Sequence, residues 1–129
     1  MVSQGSADTF VSVMPFFSVT NLEKVEEGMK NFLDKMSLEA EPKCLFYGFT
    51  MAEDKKSAFC REAYDDAEGV LNHLQRIDAE LKAFTSEGCA KLDKLEIHGP
   101  AAELEKLKEP LKGVNPVYFV TQAGGFMRK

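Results

Sequence analysis

The chain has no tryptophan, three cysteines and two histidines among 129 residues. Cys44, Cys60 and Cys89 are an odd set with no paired spacing. That excludes a disulfide framework and reads as reduced thiols in a cytoplasmic setting. A zinc site would need paired Cys or His, so no metal is expected. No apolar run approaches the roughly 20 residues that span a bilayer. The stretch Thr9–Val19 is short, broken by Pro15 and preceded by no basic region, so it reads as a buried strand and not as a signal peptide. The net charge is -5 and the lysines alternate with acids. Without a basic block, neither a nucleic-acid nor an anionic membrane surface is expected.

What the chain has is phenylalanine, ten of them. Phe brings large buried area with no polar handle, so the interior should be dense and apolar. The length fits one domain. We place it at residues 9–122, between a polar N-terminal tail (1–8) and a glycine-containing C-terminal tail (123–129).

The hydrophobic period switches repeatedly along the chain. Phe10–Val19 reads as a strand apolar on both faces. Thr20 and Glu23 suggest a capping box opening a first helix, with Leu22, Val25, Met29, Phe32, Leu33 and Met36 on one side. Pro42 marks its exit loop. Cys44–Ala52 and Ser57–Tyr64 read as an antiparallel hairpin around the polar turn Glu53–Lys56. A second helix starts at Asp65 or Asp66 and carries an apolar stripe from Val70 to Phe84, with Gly88 as its stop. Lys91–His98 reads as a polar strand near an edge. Pro100 suits the first position of a third helix, limited by Pro110, and Val117–Gln122 is the last strand.

The order is βαββαβ, then a short helix and a strand: an α+β, ferredoxin-like fold. Two helices can cover one sheet face, yet the inner strands look apolar on both. A second copy, related by a twofold axis, is the economical cover, so a homodimer through the sheet face is expected. The alternative is a monomer whose last helix folds over that face.

Chemistry concentrates between Arg61 and His73. Glu62 and Tyr64 are two apart on a strand and share a face, with Tyr47 and Phe49 across the hairpin. His73 falls about 80° from the centre of its helix stripe, at roughly 100° per residue, where it could point into a pocket between helix and sheet. A bland reading stands beside each: a structural histidine, a packing tyrosine with a tethered hydroxyl, and a Glu62–Arg61 cross-strand pair.

The string Glu62-x-Tyr64-x-Asp66-x-Glu68, with His73 nine positions after Tyr64, resembles the antibiotic biosynthesis monooxygenase (ABM) domain. The resemblance spans Thr9 to Gln122 and implies a dimeric α+β barrel. Some members of that family oxidise quinols or polycyclic phenols with molecular oxygen and neither metal nor flavin. Others degrade haem, isomerise small metabolites or have no assigned activity. Carried over by position, it puts Glu62, Tyr64 and His73 in catalytic places. His73 would take or position a phenolic proton and Tyr64 would bind a substrate oxygen. Tyr47, Phe49, Phe17 and Leu74 would hold a small hydrophobic or aromatic ligand. The haem-degrading branch uses a tryptophan, which is absent, and places its iron-ligating histidine where this chain has Ala83. The expectation is therefore a cofactor-independent monooxygenase-like protein acting on a small aromatic or quinol-type molecule. A non-catalytic ligand-binding or stress-related barrel, or a structural dimerisation module, is the alternative.

Overall fold

The computed structural model describes residues 9–86 and 88–126. The N-terminal tail, residues 1–8, and the end of the C-terminal tail, residues 127–129, lie outside them. The elements are β1 (Val11–Val19), α1 (Leu22–Asp34), β2 (Cys44–Met51), β3 (Ser57–Tyr64), α2 (Ala67–Arg76), α3 (Asp78–Phe84), β4 (Ala90–Gly99), α4 (Ala101–Lys108) and β5 (Val117–Val120). A short 3-10 turn, Lys112–Val114, precedes β5.

The five strands lie in the order β2-β3-β1-β4-β5. Among the described residues only the β4–β5 pair is parallel; its crossover is α4. The first four strands give the ferredoxin-like arrangement, to which α4 and β5 add an edge. Alternation decides what each face carries. On β1, Val11, Val13, Pro15 and Phe17 are buried, while Ser12, Met14, Phe16 and Ser18 are half-buried on the other side. All helices contribute to the buried side. Phe32 of α1 and Phe84 of α3 meet edge to face, 5.1 Å between ring centres, and Phe84 meets Phe17 of β1 at 5.0 Å. Leu104 and Leu107 of α4 pack with Val11, Val13 and Tyr64. The last helix therefore joins the same layer and does not cover the second face.

The residues place some boundaries differently from their pattern. Helix α1 is capped by Asn21, whose side-chain oxygen accepts the Lys24 N–H at 3.1 Å. The Thr20–Glu23 box does not form, because the Thr20 and Asn21 N–H groups both turn to the Cys89 carbonyl. The expected long second helix is two, α2 and α3, bent at Ile77 (φ -103, ψ 12). Neither proline nor glycine marks the bend. Asp66 caps α2 through the Gly69 N–H, 3.1 Å away. Strand β4 lies near an edge as expected, with β5 alone beyond it among the described residues; its polar residues alternate outward while Leu95 and Ile97 point in. Pro100 is the residue before α4 and not its first position. Gly88 (φ +84) serves the turn into β4, beyond the end of α3 at Phe84. No helix among the described residues is long and apolar enough to cross a membrane.

Candidate active site

The site lies between β1–β4 and the helices, and it starts from one residue the sequence pattern did not single out. Glu41 sits in the loop from α1 to β2, just before Pro42, a position biased to extended backbone. Its carboxylate is 3% exposed. Both of its oxygens lie 2.9 Å from His73 Nδ1, and Arg76 Nη1 donates to one of them at 2.8 Å. His73 and Arg76 are three apart on α2, so they share a helix face. The loop is tied down nearby: Asn72 Nδ2 donates to the Ala40 carbonyl at 3.1 Å, and Lys43 Nζ reaches Asp66 at 2.8 Å.

An ionised carboxylate can only accept. The neutral His73 ring must therefore carry its proton on Nδ1, toward Glu41. Nε2 is left as an acceptor, 3.8 Å from Glu62 Oε1. Glu62 belongs to β3, and Tyr64, two residues on, donates its hydroxyl to the same Oε1 at 2.7 Å. Burial pushes the Glu62 carboxyl above its ordinary value; His73 and the Tyr64 hydroxyl offset part of that. Burial, with the Glu62 charge, pushes the Tyr64 phenol up too. The thiol of Cys60, also on β3, is raised by burial and by Glu62, which makes it an inert sulfhydryl and not a nucleophile. Tyr47 of β2 stands over the imidazole, 4.8 Å between ring centres.

These groups close one end of a cavity of ≈ 110 Å³. Tyr47, Cys60, Glu62 and His73 line that end; Phe17, Phe32, Phe49 and Leu74 belong to its apolar walls. Of the seven residues singled out from sequence, six line it, and Tyr64 does not. Tyr64 is fully buried behind Glu62 and touches the cavity lining through that carboxyl and through the His73 ring, 5.6 Å between ring centres. Arg61, next to Glu62, points to the opposite sheet face over the Phe46 ring and makes no pair with Glu62. Among the described residues no group of three His, Cys, Asp or Glu is placed to hold a metal ion.

With this geometry in view, likeness to known proteins is informative. The chain aligns with the crystal structure of MupZ from Pseudomonas fluorescens at 36% identity, covering 94% of this chain and 91% of that one, with a TM-score of 0.80. The chain belongs to the family of MupZ and is an ABM-like domain. Two further ABM-like structures share the fold at lower identity. A candidate antibiotic biosynthesis monooxygenase from Caulobacter crescentus is 19% identical, over 71% of this chain and 90% of that one, with a TM-score of 0.56. Another, from Chloroflexus aurantiacus, is 14% identical, over 72% and 94%, with a TM-score of 0.55. No family model matches the chain, and no curated protein does. In this ABM-like domain the helices and the sheet thus enclose a carboxylate–imidazole–carboxyl array at the blind end of an apolar cavity.

Proposed function

We propose that this protein is an acid–base enzyme acting on a small hydrophobic substrate, and that its reaction is oxygenation of a phenol-type ring. The observation that carries the reading is His73, gripped at Nδ1 by both Glu41 oxygens with Nε2 turned into an aromatic-walled cavity. Nε2 takes the hydroxyl proton, and the Glu41 carboxylate stabilises the imidazolium that results. The ring electrons released attack dioxygen. Glu62, held toward its neutral form by burial, returns a proton as the O–O bond breaks. One oxygen atom stays on the ring as a quinone carbonyl and the other leaves as water. Phenol plus O2 equals quinone plus water, so the substrate is its own reductant. Tyr64 positions Glu62, and Phe17, Phe49 and Leu74 hold the ring.

A second reading keeps the array and drops the oxygen: proton transfer alone, as in an isomerisation. The pairing of one neutral-leaning carboxyl with one imidazole 3.8 Å away favours it. Turnover of small phenols and quinols, followed under air and under argon, separates the two. Oxygen-dependent loss of substrate that falls about 10²–10⁴-fold in His73→Ala supports the first. Equal rates under argon move the assignment to the second. Turnover untouched by His73→Ala removes the array from the mechanism, and binding without turnover leaves a ligand-binding barrel.

The reading includes a homodimer. Phe46 (50% exposed), Phe119 (42%) and Val117 (45%) stand on the uncovered half of the structure, together with Phe16 and Phe59, whose tilted rings lie 4.1 Å apart between centres. Two copies joined through that face would bury them.

A further inference from the structure

The cavity is polar at one end only. Neighbouring strands lie about 4.8 Å apart, so β2 to β4 spans about 14 Å. On the β2–β3 side the wall carries Tyr47, Cys60, Glu62 and, from α2, His73. Pairing sets Glu62 opposite Val13, then Pro15 opposite Leu95 and Phe17 opposite Leu92 across the β1–β4 side. Leu111 and Val114 complete that apolar side from the 3-10 turn. Val114 is the exposed member of the lining, at 46%, while Glu62 and His73 are buried, at 9% and 1%. The mouth is therefore apolar and the blind end is polar. Among the described residues no lysine or arginine lines the cavity.

Resting on the acid–base reading, we propose that the substrate is a neutral molecule with one polar reacting group on an otherwise apolar body, inserted head first. A ring hydroxyl at the blind end meets Nε2 of His73 and the Glu62 carboxyl. A second hydroxyl across the ring lies among Leu92, Leu95 and Leu111 with no partner. An apolar pocket penalises such an added hydroxyl by up to about 100-fold. A carboxylate finds no lysine or arginine at either end of the lining, and burying it unpaired there costs enough to refuse it. The volume of ≈ 110 Å³ is of the order of the ~150 Å³ cavity known to hold benzene, so one ring fills it and anything longer trails past Val114.

Calorimetric titration of the whole protein with 4-ethylphenol, hydroquinone and 4-hydroxybenzoate tests this. The expected result is 4-ethylphenol at least 10-fold tighter than hydroquinone, and no heat from 4-hydroxybenzoate. Leu92→Asn, which offers a partner at the apolar end, is expected to narrow or invert the ratio; Val114→Asn, on the exposed rim, gives a second variant that folds. Hydroquinone or 4-hydroxybenzoate binding as well as 4-ethylphenol overturns the proposal, as does a ratio unchanged in both variants or no binding by any of the three. Binding is read without turnover. The same ranking in a protein that turns nothing over would retain the specificity and discard the enzyme.

Discussion

The two faces of the sheet invert the usual rule. Along β3 the helix-covered side carries Ala58, Cys60, Glu62 and Tyr64, and the open side carries Phe59, Arg61 and Ala63. A carboxyl is thus buried where core is expected, while Phe46 and Phe119 stay exposed on the far side. Buried polar groups cost free energy unless satisfied, and exposed apolar area costs it unless covered. The inner face meets the cost within one chain, through Glu41, Arg76 and Tyr64. Among the described residues the outer face has no such provision, which is what the proposed homodimer would supply. The open side also holds a charged row, Lys94, Glu96 and His98, in which Lys94 first and His98 second keep the Glu96 carboxyl below its ordinary range. His98, near the end of β4, is stacked on Phe119 at 4.6 Å.

Charging the outer face should break the comparison most sharply. Phe46→Glu combined with Phe119→Glu is expected to halve the mass seen by light scattering at micromolar concentration while the fold persists by circular dichroism. Next comes the inner face. Glu41→Ala strands a buried imidazole and one guanidinium bond, and should cost about 3–5 kcal/mol in urea denaturation. Glu41→Gln keeps an acceptor and should cost less, while moving the pH profile of turnover.

A smaller effect tests the packing beneath the cavity. A Cβ built at Gly28 would come within 2.4 Å of the Phe84 ring. Alanine normally favours a helix over glycine by about 1 kcal/mol. Here Gly28→Ala should instead destabilise by about 1–3 kcal/mol through overpacking, and Phe84→Leu should relieve it. Milder still is a slope. The Glu62 carboxyl is raised above 4.5 in the fold, chiefly by burial. The native state then holds that proton after the unfolded chain has lost it. Stability should fall as pH rises from about 4.5 through the raised value, and Glu62→Gln should flatten that part of the curve. At the bottom of the scale, the exposed Lys82–Asp78 pair on α3 should be worth less than about 0.5 kcal/mol when Lys82→Ala is compared with wild type.

Much of the fold was legible because period-two and period-3.6 patterns alternate cleanly. The hairpin of β2 and β3, the Asp66 start of α2 and the shared face of Glu62 and Tyr64 all follow from local spacing. Local spacing misled where long-range contacts decided. The carbonyl of Cys89 took the N–H groups at the start of α1 and moved its cap to Asn21. The bend at Ile77 splits the expected second helix in two, with no proline or glycine to signal it. At the site, the pattern pointed to His73 but not to what orients it. Glu41 is one of two glutamates, with Glu39, in an unpatterned loop, and lies 32 positions before His73. Two signals were present: the pre-proline position, and the His73-x-x-Arg76 spacing that presents two donors on one helix face. Tyr64 shares the face of Glu62 as expected, yet its position along β3 puts it behind that carboxyl.

The claim on which the rest depends is that His73 offers a free Nε2 to the cavity because Glu41 holds the proton on Nδ1. Long-range nitrogen-15 NMR of the imidazole, recorded across a pH titration, reads this directly. The neutral ring is expected as the Nδ1–H tautomer in wild type, with that preference lost in Glu41→Ala. A neutral ring protonated on Nε2 would contradict it.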